Sequence, residues 1–255
     1  MRIISYNING IRSAIKKGFL EWLSTSPADI ICLQEIKADM PNIPVEEIHA
    51  LGYETYFFPA QKKGYSGVGV LTTIKPDSVS YGNHMEQSNY EGRIIRLDFG
   101  ELTLINAYFP SGSSGDLRQT YKYEWLEDFY QYIEELKKER QHLVICGDYN
   151  ICHRPIDIHN PISNKNSSGF LPEERAWMDQ WFSNGFIDTF RHFNTEPHHY
   201  SWWSFRANAR ANNKGWRIDY ISVSENLKPN LKYATIFPDV LHSDHCPVFV
   251  DLEYP

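Results

Sequence analysis

The segment 142–150 places a carboxylate and an amide at the exit of an apolar run. Residues 142–146 are apolar and β-prone, and Gly147, Asp148, Tyr149 and Asn150 follow them. Because side chains alternate along a strand, Asp148 and Asn150 are expected to point the same way. Taken alone, a stretch of Gly, Asp and Asn is as typical of a turn. A polar site is therefore indicated only if the pattern recurs.

The pattern does recur, because polar groups able to hold a metal or contact an anion stand at or near the ends of other apolar runs. These groups are Asn7, Glu35, Tyr108, Asp219 and the pair Asp244-His245. Each has an ordinary explanation by itself: a turn, a cap, a core side chain or a structural histidine. A charged group inside the strand-like run 217–221 needs a partner, however. Together the positions predict a site built where rigid strands end.

The donor types in this set indicate which metal the site would take. Glu35, Asp148, Asp244, Asn7 and Asn150 offer hard oxygen ligands, which favour Mg²⁺ and, as a second choice, Mn²⁺. The alternative is a zinc site made by histidine and cysteine near the C-terminus. That alternative would leave the carboxylates without a role.

Charge is distributed unevenly along the 255 residues, which carry a net charge of −7. Residues 1–20 and 204–217 each carry +4 and no acid, so the remainder carries −15. An acidic total argues against a nucleic-acid binder, but two basic islands could present a positive face to a polyanion. The alternative is that both islands are ordinary solvated surface.

The cysteines and apolar runs bear on the compartment. The four cysteines form no CxxC pair, and two of them lie inside strand-like runs, which is typical of buried thiols in a reducing compartment. No signal-peptide core and no run of membrane-spanning length is present. The sequence thus predicts a soluble cytoplasmic protein, with 42% hydrophobic residues available for a core.

The elements that must position these groups are mostly strands. Strands are predicted at 2–9, 29–35, 53–59, 68–73, 93–99, 102–108, 142–148, 217–223, 232–237 and 247–252, with a hairpin joining 93–99 to 102–108. Helices are predicted at 12–24, 117–138 and 172–182, and a long polar loop at 152–170. Few, long helices among many strands favour two packed sheets with helices outside over an eight-unit barrel, in one domain of residues 1–255.

Short motifs along nearly the whole chain resemble one family. They lie at 5–12, 33–37, 65–69, 91–93, 107–110, 147–150, 169–175, 215–220 and 243–247. Together they are similar to the exonuclease III family of abasic-site DNA endonucleases, within the endonuclease/exonuclease/phosphatase superfamily. The stretches 169–175 and 215–220 are specific to the DNA repair branch. The resemblance implies an α/β fold, a four-layer αββα sandwich of two mainly antiparallel sheets, with the site at one edge.

The resemblance also implies hydrolysis of the phosphodiester 5′ to an abasic site, leaving a 3′-hydroxyl, together with 3′-end trimming and 3′→5′ exonuclease activity. Asp148 would activate the water and Asn150 would hold the reactants in line. His245, oriented by Asp219, would stabilise the transition state, and Tyr108 would donate to the phosphate or the leaving group. The implied metal set for Mg²⁺ is Asn7, Glu35, Asp148, Asn150, Asp244 and His245.

Substrate recognition is assigned by the same likeness. Trp202, Trp216 and Ile218 would surround a flipped abasic sugar. For these residues and for the neighbouring Trp203 a core position is the ordinary explanation, and it is expected for at least one of the tryptophans. The residues expected to contact DNA phosphates are Arg12, Lys17, Arg93, Arg206, Asn208 and Arg210. The partner would be duplex DNA with abasic sites or blocked 3′ ends, no membrane is involved, and the protein would be a monomer.

Three positions depart from the family pattern, and two other functions remain open. Asn9 stands where many relatives have Asp, and Ser111 and Ser167 stand where some have Asn. A superfamily phosphoesterase acting on a lipid or inositol phosphate would share the Glu and Asp-His motifs, but it has no reason to carry the 215–220 stretch. A non-catalytic DNA-binding module predicts a broken site, whereas each motif-matched catalytic position is intact here.

Overall fold

The computed structural model describes residues 1–25 and 28–254, so residues 26, 27 and 255 of the expected domain lie outside the described part. The strands are β1 (Arg2–Asn7), β2 (Ile30–Gln34), β3 (Glu54–Phe58), β4 (Val68–Thr72), β5 (Ser78–Tyr81), β6 (Ile94–Phe99), β7 (Leu102–Tyr108), β8 (His142–Asp148), β9 (Phe186–Asp188), β10 (Asp219–Ser224), β11 (Leu231–Ile236) and β12 (Val248–Leu252).

The α-helices are α1 (Ile11–Lys16), α2 (Phe19–Thr25), α3 (Val45–Ala50), α4 (Glu86–Tyr90), α5 (Asp116–Lys137), α6 (Pro172–Ser183) and α7 (Thr189–Phe193). Short 3₁₀ helices lie at Met40–Asn42, Pro155–Asp157 and Glu225–Asn230. None of these described helices is long and apolar enough to cross a lipid bilayer.

The strands form two six-stranded sheets. The first has the order β11-β12-β1-β2-β4-β3, and the second has the order β5-β6-β7-β8-β10-β9. In each sheet one central pair is parallel, β1 with β2 and β7 with β8, and the remaining pairs are antiparallel. The predicted fold class, two packed and mainly antiparallel sheets flanked by helices, is confirmed.

Apolar residues on both faces of the central strands account for the four layers, because each face must be covered. Ile3 and Cys32 of the first sheet and Leu104 of the second lie in the core between the sheets. Helices α5 and α6 cover the outer face of the second sheet. Trp125 and Phe129 of α5 belong to the apolar core between these helices and the sheet. Helices α1 to α3 cover the first sheet.

A buried polar contact fixes the two sheets against each other directly below one edge. Gln34 at the end of β2 donates from Nε2 to Asn106 Oδ1 in β7 at 2.7 Å. Asn106 Nδ2 in turn donates to the backbone oxygens of Leu33 at 3.0 Å and Gly69 at 2.7 Å. Since buried amides are costly unless paired, this contact favours one relative placement of the sheets.

The predicted helix 12–24 is in fact two helices, α1 and α2. Gly18 has φ +92°, a left-handed conformation that ends the first helix, and the apolar face continues across the break through Phe19. The short strands β5 and β9 and the short helices α3, α4 and α7 were not predicted. Their few residues provide too little periodicity to detect.

Candidate active site

Topology brings the predicted polar groups to one edge. The parallel pairs β1–β2 and β7–β8 end there, so Asn7, Glu35, Tyr108 and Asp148 emerge side by side. The antiparallel strand β10 starts at the same edge, where Asp219 is in register with Asp148. Strand β12 starts there too, directly after the segment 243–247.

The Asn7 amide links two carboxylates that belong to different sheets. Its Nδ2 donates to Glu35 Oε1 at 2.8 Å and to Asp148 Oδ2 at 2.9 Å. The backbone N–H of Asn150 donates to the other oxygen, Asp148 Oδ1, at 2.8 Å. Asn150 Nδ2 donates to Phe109 O at 2.9 Å. Asp148 is therefore held in one orientation by contacts from both sheets.

The Asp219–His245 pair lies beside this carboxylate. Nδ1 of His245 donates to Asp219 Oδ2 at 2.9 Å, and Nε2 faces Asp148 Oδ2 at 3.9 Å. Burial by itself would lower the pKa of His245, but the charge and hydrogen bond of Asp219, with Asp148 and Asp244, raise it to about 10. The imidazole is accordingly a cation at neutral pH, with Nε2–H available to an anion.

Negative charge is in excess at this edge. Burial, followed by the charges of Asp219 and Glu35, raises the pKa of Asp148 to about 8, although His245 opposes the shift. Glu35, Asp148 and His245 each offer a ligand atom, and these atoms lie within 4.8 Å of one another. Asp219 Oδ1 is buried without a hydrogen-bond partner among the described residues. This donor set fits a hard divalent cation.

Asp244, also expected as a metal ligand, is not part of the group of clustered ligand atoms formed by Glu35, Asp148 and His245. Its Oδ1 accepts from Asn9 Nδ2 at 2.8 Å, and its Oδ2 accepts from Trp202 Nε1 at 3.0 Å. An Asp at position 9 could not donate to Asp244, so the amide replaces a repulsion with a hydrogen bond. Sequence reasoning missed Lys37, whose Nζ lies 2.6 Å from Glu35 Oε2 and 2.5 Å from Asn9 Oδ1. Its place two residues after Glu35 was the available signal.

An apolar pocket opens beside the carboxylates, in a cavity of about 390 Å³. The rings of Trp202 and Trp216 meet edge to face at 89° with centroids 5.9 Å apart, and Ile218 completes the wall. Gly169 has φ +94°, and a Cβ there would lie 3.0 Å from the Trp216 ring. Ser111 also lines this cavity. The neighbouring Trp203 lies in the core between the sheets, as expected for one tryptophan.

Tyr108 lines the same cavity and is almost wholly buried. Burial raises the pKa of its phenol well above the usual value, and the charges of Glu35 and Asp148 add to the shift. The hydroxyl is therefore neutral and can donate a hydrogen bond. The guanidinium of Arg93 lies over the Tyr108 ring at 4.7 Å and donates from Nη1 to its carbonyl at 2.6 Å.

The burial of Arg93 argues against the phosphate contact expected for it. It is 1% exposed, and its Nε donates to Glu91 Oε2 at 2.5 Å. Arg210 is also occupied, because its guanidinium donates to the backbone oxygens of Ser243, Pro238 and Val240. Charge alone could not distinguish these residues from surface arginines. The other phosphate-contact candidates are exposed: Arg12, Lys17, Arg206 and Asn208.

The architecture and this edge define a class of enzymes, and comparison with known proteins identifies it. Residues 4–245 match the endonuclease/exonuclease/phosphatase family, and the chain belongs to that family. Nucleases and phosphatases both act on phosphate esters, and the grouped ligand atoms of Glu35, Asp148 and His245 could hold a metal ion for such chemistry.

Relatives narrow the assignment to the branch of exodeoxyribonucleases and abasic-site endonucleases, so the resemblance seen in the sequence is confirmed. The chain is 42% identical over 250 residues to an exodeoxyribonuclease of Bacillus subtilis, covering 97% of this chain and 98% of that protein. It is 38% identical over 251 residues to the DNA repair nuclease APEX1 of Danio rerio, covering 97% of this chain and 81% of that protein. An AP endonuclease from Archaeoglobus fulgidus superimposes with a TM-score of 0.90 at 30% identity, covering all of both chains.

Proposed function

We propose that this metal-dependent DNA repair nuclease hydrolyses the phosphodiester 5′ to an abasic site in duplex DNA, leaving a 3′-hydroxyl. Trimming of blocked 3′ ends and 3′→5′ exonuclease activity would use the same centre. One observation supports the proposal above the others: the Glu35, Asp148 and His245 ligand atoms lie together at the mouth of the Trp202–Trp216 pocket.

The metal we propose is Mg²⁺, with Mn²⁺ as a substitute, held by Glu35 and Asp148 with Asn7 and Asn150 beside them. When bound it supplies positive charge that offsets the charge of the phosphate. Asp244 is not part of the group of clustered ligand atoms formed by Glu35, Asp148 and His245, and it holds Trp202 through Oδ2, so Asp244 orients the pocket in this proposal. His245 is a cation whose Nδ1 is already used by Asp219, which favours a phosphate contact over metal coordination.

The side chains divide the chemistry among them. Asp148 is fixed by the Asn7 amide and the Asn150 N–H. With a divalent cation offsetting the neighbouring carboxylates, its pKa of about 8 would fall, and the ionised carboxylate would accept the proton of the attacking water. Nε2–H of His245 donates to a non-bridging oxygen as charge develops there, while Asp219 keeps the ring oriented. The neutral hydroxyl of Tyr108 donates to the phosphate or the leaving oxygen.

The pocket selects the substrate by size. In this proposal Trp202, Trp216 and Ile218 receive a sugar without its base, and the Gly169 backbone, where an added Cβ would lie 3.0 Å from the Trp216 ring, closes one side of the pocket. Replacing Trp216 by Ala should therefore reduce discrimination between abasic and normal nucleotides more than it reduces the rate on the abasic substrate.

The deciding experiment is product-end analysis on a labelled duplex with one abasic site, with an undamaged duplex and a phosphoinositide assayed in parallel. Metal-dependent incision 5′ to the abasic site with a 3′-hydroxyl product is the expected result. Preferential release of phosphate from the phosphoinositide would favour the lipid phosphoesterase instead. Binding without any cleavage would favour a non-catalytic module.

The grip on DNA is proposed to be electrostatic and to come from a monomer. Arg12, Lys17, Arg206 and Asn208 are exposed and offer phosphate contacts. Affinity should fall by about one power of salt concentration for each phosphate neutralised. Affinity that stays flat from low to high salt would exclude this mode of binding.

The four cysteines are free and buried, which fits the reducing compartment expected for the protein.

A further inference from the structure

A buried ion pair lies behind the active edge, outside the set of residues that line the cavity. Lys122 of α5 and Glu174 of α6 are both 0% exposed, and Lys122 Nζ lies 2.5 Å from Glu174 Oε1. Lys122 occupies the same face of α5 as the core residues Trp125, Leu126 and Phe129. Burying two charges is costly even when they are paired, and an apolar pair of similar volume commonly serves stability as well. Stability alone therefore does not explain the pair.

Lys122 contacts the backbone of the catalytic segment. Its Nζ donates to the carbonyl oxygen of Asn150 at 2.8 Å. Asn150 has φ +52°, a left-handed conformation that a side-chain-bearing residue adopts at some cost. That conformation aims the Asn150 N–H at Asp148 Oδ1, at 2.8 Å. The ammonium group thus stabilises the turn that orients the proposed base.

Glu174 contacts the wall of the apolar pocket. Its Oε2 accepts from the backbone N–H of Gly169 at 2.6 Å and of Leu171 at 3.0 Å. Gly169 is the residue whose backbone packs against the ring of Trp216, and it also lies against the Asn150 carbonyl. The carboxylate thus sets how far the pocket wall stands from the tryptophan.

A second polar side chain extends the same network. Gln119 of α5 donates from Nε2 to Glu174 Oε1 at 3.1 Å, and its Oε1 accepts from Ser168 Oγ at 2.7 Å. Ser168 lines the cavity. One helix therefore supports the catalytic turn and the pocket wall through a connected set of hydrogen bonds, with the fully buried Lys122–Glu174 contact at its centre.

We propose that Lys122 and Glu174 are positioning residues that fix the Asn150 turn relative to the Gly169 wall. The general base Asp148 and the sugar pocket then act on the same nucleotide. The proposal rests on the proposed function. It assigns neither residue to the chemistry, because both lie behind the backbone and neither lines the cavity.

The test separates positioning from stability by neutralising the pair. Lys122→Met alone leaves the Glu174 charge buried and unpaired, so its melting temperature should fall sharply. In the double variant Lys122→Met/Glu174→Gln no buried charge remains, and the melting temperature should return close to that of the wild type. The kcat for abasic-site incision should nevertheless stay about 10- to 100-fold low, with a smaller change in KM, because the Asn150 turn is no longer held.

A spectroscopic readout does not depend on turnover. In protein containing 5-fluorotryptophan, the ¹⁹F resonance of Trp216, assigned with Trp216→Phe, should shift or broaden in the double variant. The resonance of Trp22, which packs under the first sheet, should not move. The matched control is Lys138→Met/Glu135→Gln, an exposed pair at the end of the same helix, which should leave kcat and the spectrum unchanged.

The outcomes are distinct. Recovery of kcat together with the melting temperature, or an unmoved Trp216 resonance in the double variant, overturns the positioning role. A wild-type protein that fails to nick the abasic duplex overturns the proposed function instead. In that event the Trp216 resonance, compared between wild type and double variant without substrate, still decides whether the pair positions the pocket.

Discussion

Two clusters of carboxylates meet the segment 217–219 at the start of β10, one through Asp219 and the other through Arg217, and they differ in the cations that face them. The first, which we call the site cluster, consists of Glu35, Asp148, Asp219 and His245. In it the imidazole of His245 is the cation nearest to Asp148 and Asp219, at 3.9 Å and 2.9 Å. The Glu35 carboxylate faces the ammonium group of Lys37 at 2.6 Å.

The second, which we call the arginine cluster, consists of Asp157, Asp188, Arg191 and Arg217. Asp157 Oδ1 lies 2.8 Å from Arg217 Nε and 2.7 Å from Arg191 Nη2. Asp188 Oδ2 lies 2.6 Å from Arg217 Nη2. Its carboxylates are matched by guanidinium groups.

The pKa values of the buried aspartates in the two clusters differ because different cations face them. Burial acts to raise the pKa of both Asp148 and Asp157. At Asp157 the two arginines overcome burial and lower the pKa to about 2, whereas at Asp148 nearby carboxylates add to burial and raise it to about 8. The arginine cluster is complete as it stands. In the site cluster three carboxylates face only two cations, His245 and Lys37, and this excess of negative charge is why we propose it as the functional one.

Replacing Asp148 with Asn gives the largest expected difference between the clusters. Loss of the proton acceptor should lower kcat on the abasic duplex by about 10³- to 10⁴-fold. Folding stability should hold or rise, because one of several crowded carboxylates is neutralised. Steady-state incision and thermal unfolding of the same preparation measure both quantities. A variant that cuts at near the wild-type rate would remove Asp148 from the mechanism.

Replacing Arg217 with Met should have the reverse effect, acting mainly on stability. It leaves Asp188 without its guanidinium partner and Asp157 with Arg191 alone, so the free energy of unfolding should fall by about 3 kcal/mol. Denaturant unfolding measures the change, with the exposed Arg154→Met as the control. If Arg154→Met lowers the free energy of unfolding as much as Arg217→Met does, the arginine cluster does not have the stabilising role given to it.

Adding Mg²⁺ should stabilise the protein through the site cluster only. At a concentration of about 100 times Kd the expected gain is about 2.7 kcal/mol. Glu35→Gln should reduce this gain, while Arg217→Met, although less stable, should retain it in full. Thermal shift with and without a chelator measures the effect. An undiminished gain in Glu35→Gln would place the metal elsewhere.

Acid should weaken the arginine cluster over a defined pH range. The expected loss of stability is the smallest effect among these four predictions. The pKa of Asp157 is about 2 in the folded protein, below the value near 3.9 of an unfolded chain. The stability it contributes is therefore complete above about pH 4 and is lost as the pH falls towards 2, by about 2 kcal/mol. Denaturant unfolding at steps between pH 5 and 2.5 should show a shallower slope for Asp157→Asn. If the wild type and Asp157→Asn lose stability equally as the pH falls, the protonation of Asp157 is not coupled to folding.

Much of the framework could be predicted from the chain itself. The strand carrying Asp148, the hairpin of β6 and β7 and the long helix α5 each have enough periodic residues to identify them. The break at Gly18 was missed, because the apolar stripe runs on through it. Polar residues that end apolar runs, such as Glu35 and His245, were found because such positions conflict with the surrounding pattern.

The local sequence determined which residues are polar at the ends of buried strands, and hence where a site could be built. Only the tertiary structure decided which charges are matched. Arg93, Lys122 and Arg217 look like surface cations in the sequence, yet each is buried against a carboxylate. Lys122 meets Glu174 from 52 residues away and Arg217 meets Asp157 from 60. Electrostatic energy depends on distance and burial, and neither is set by position along the chain.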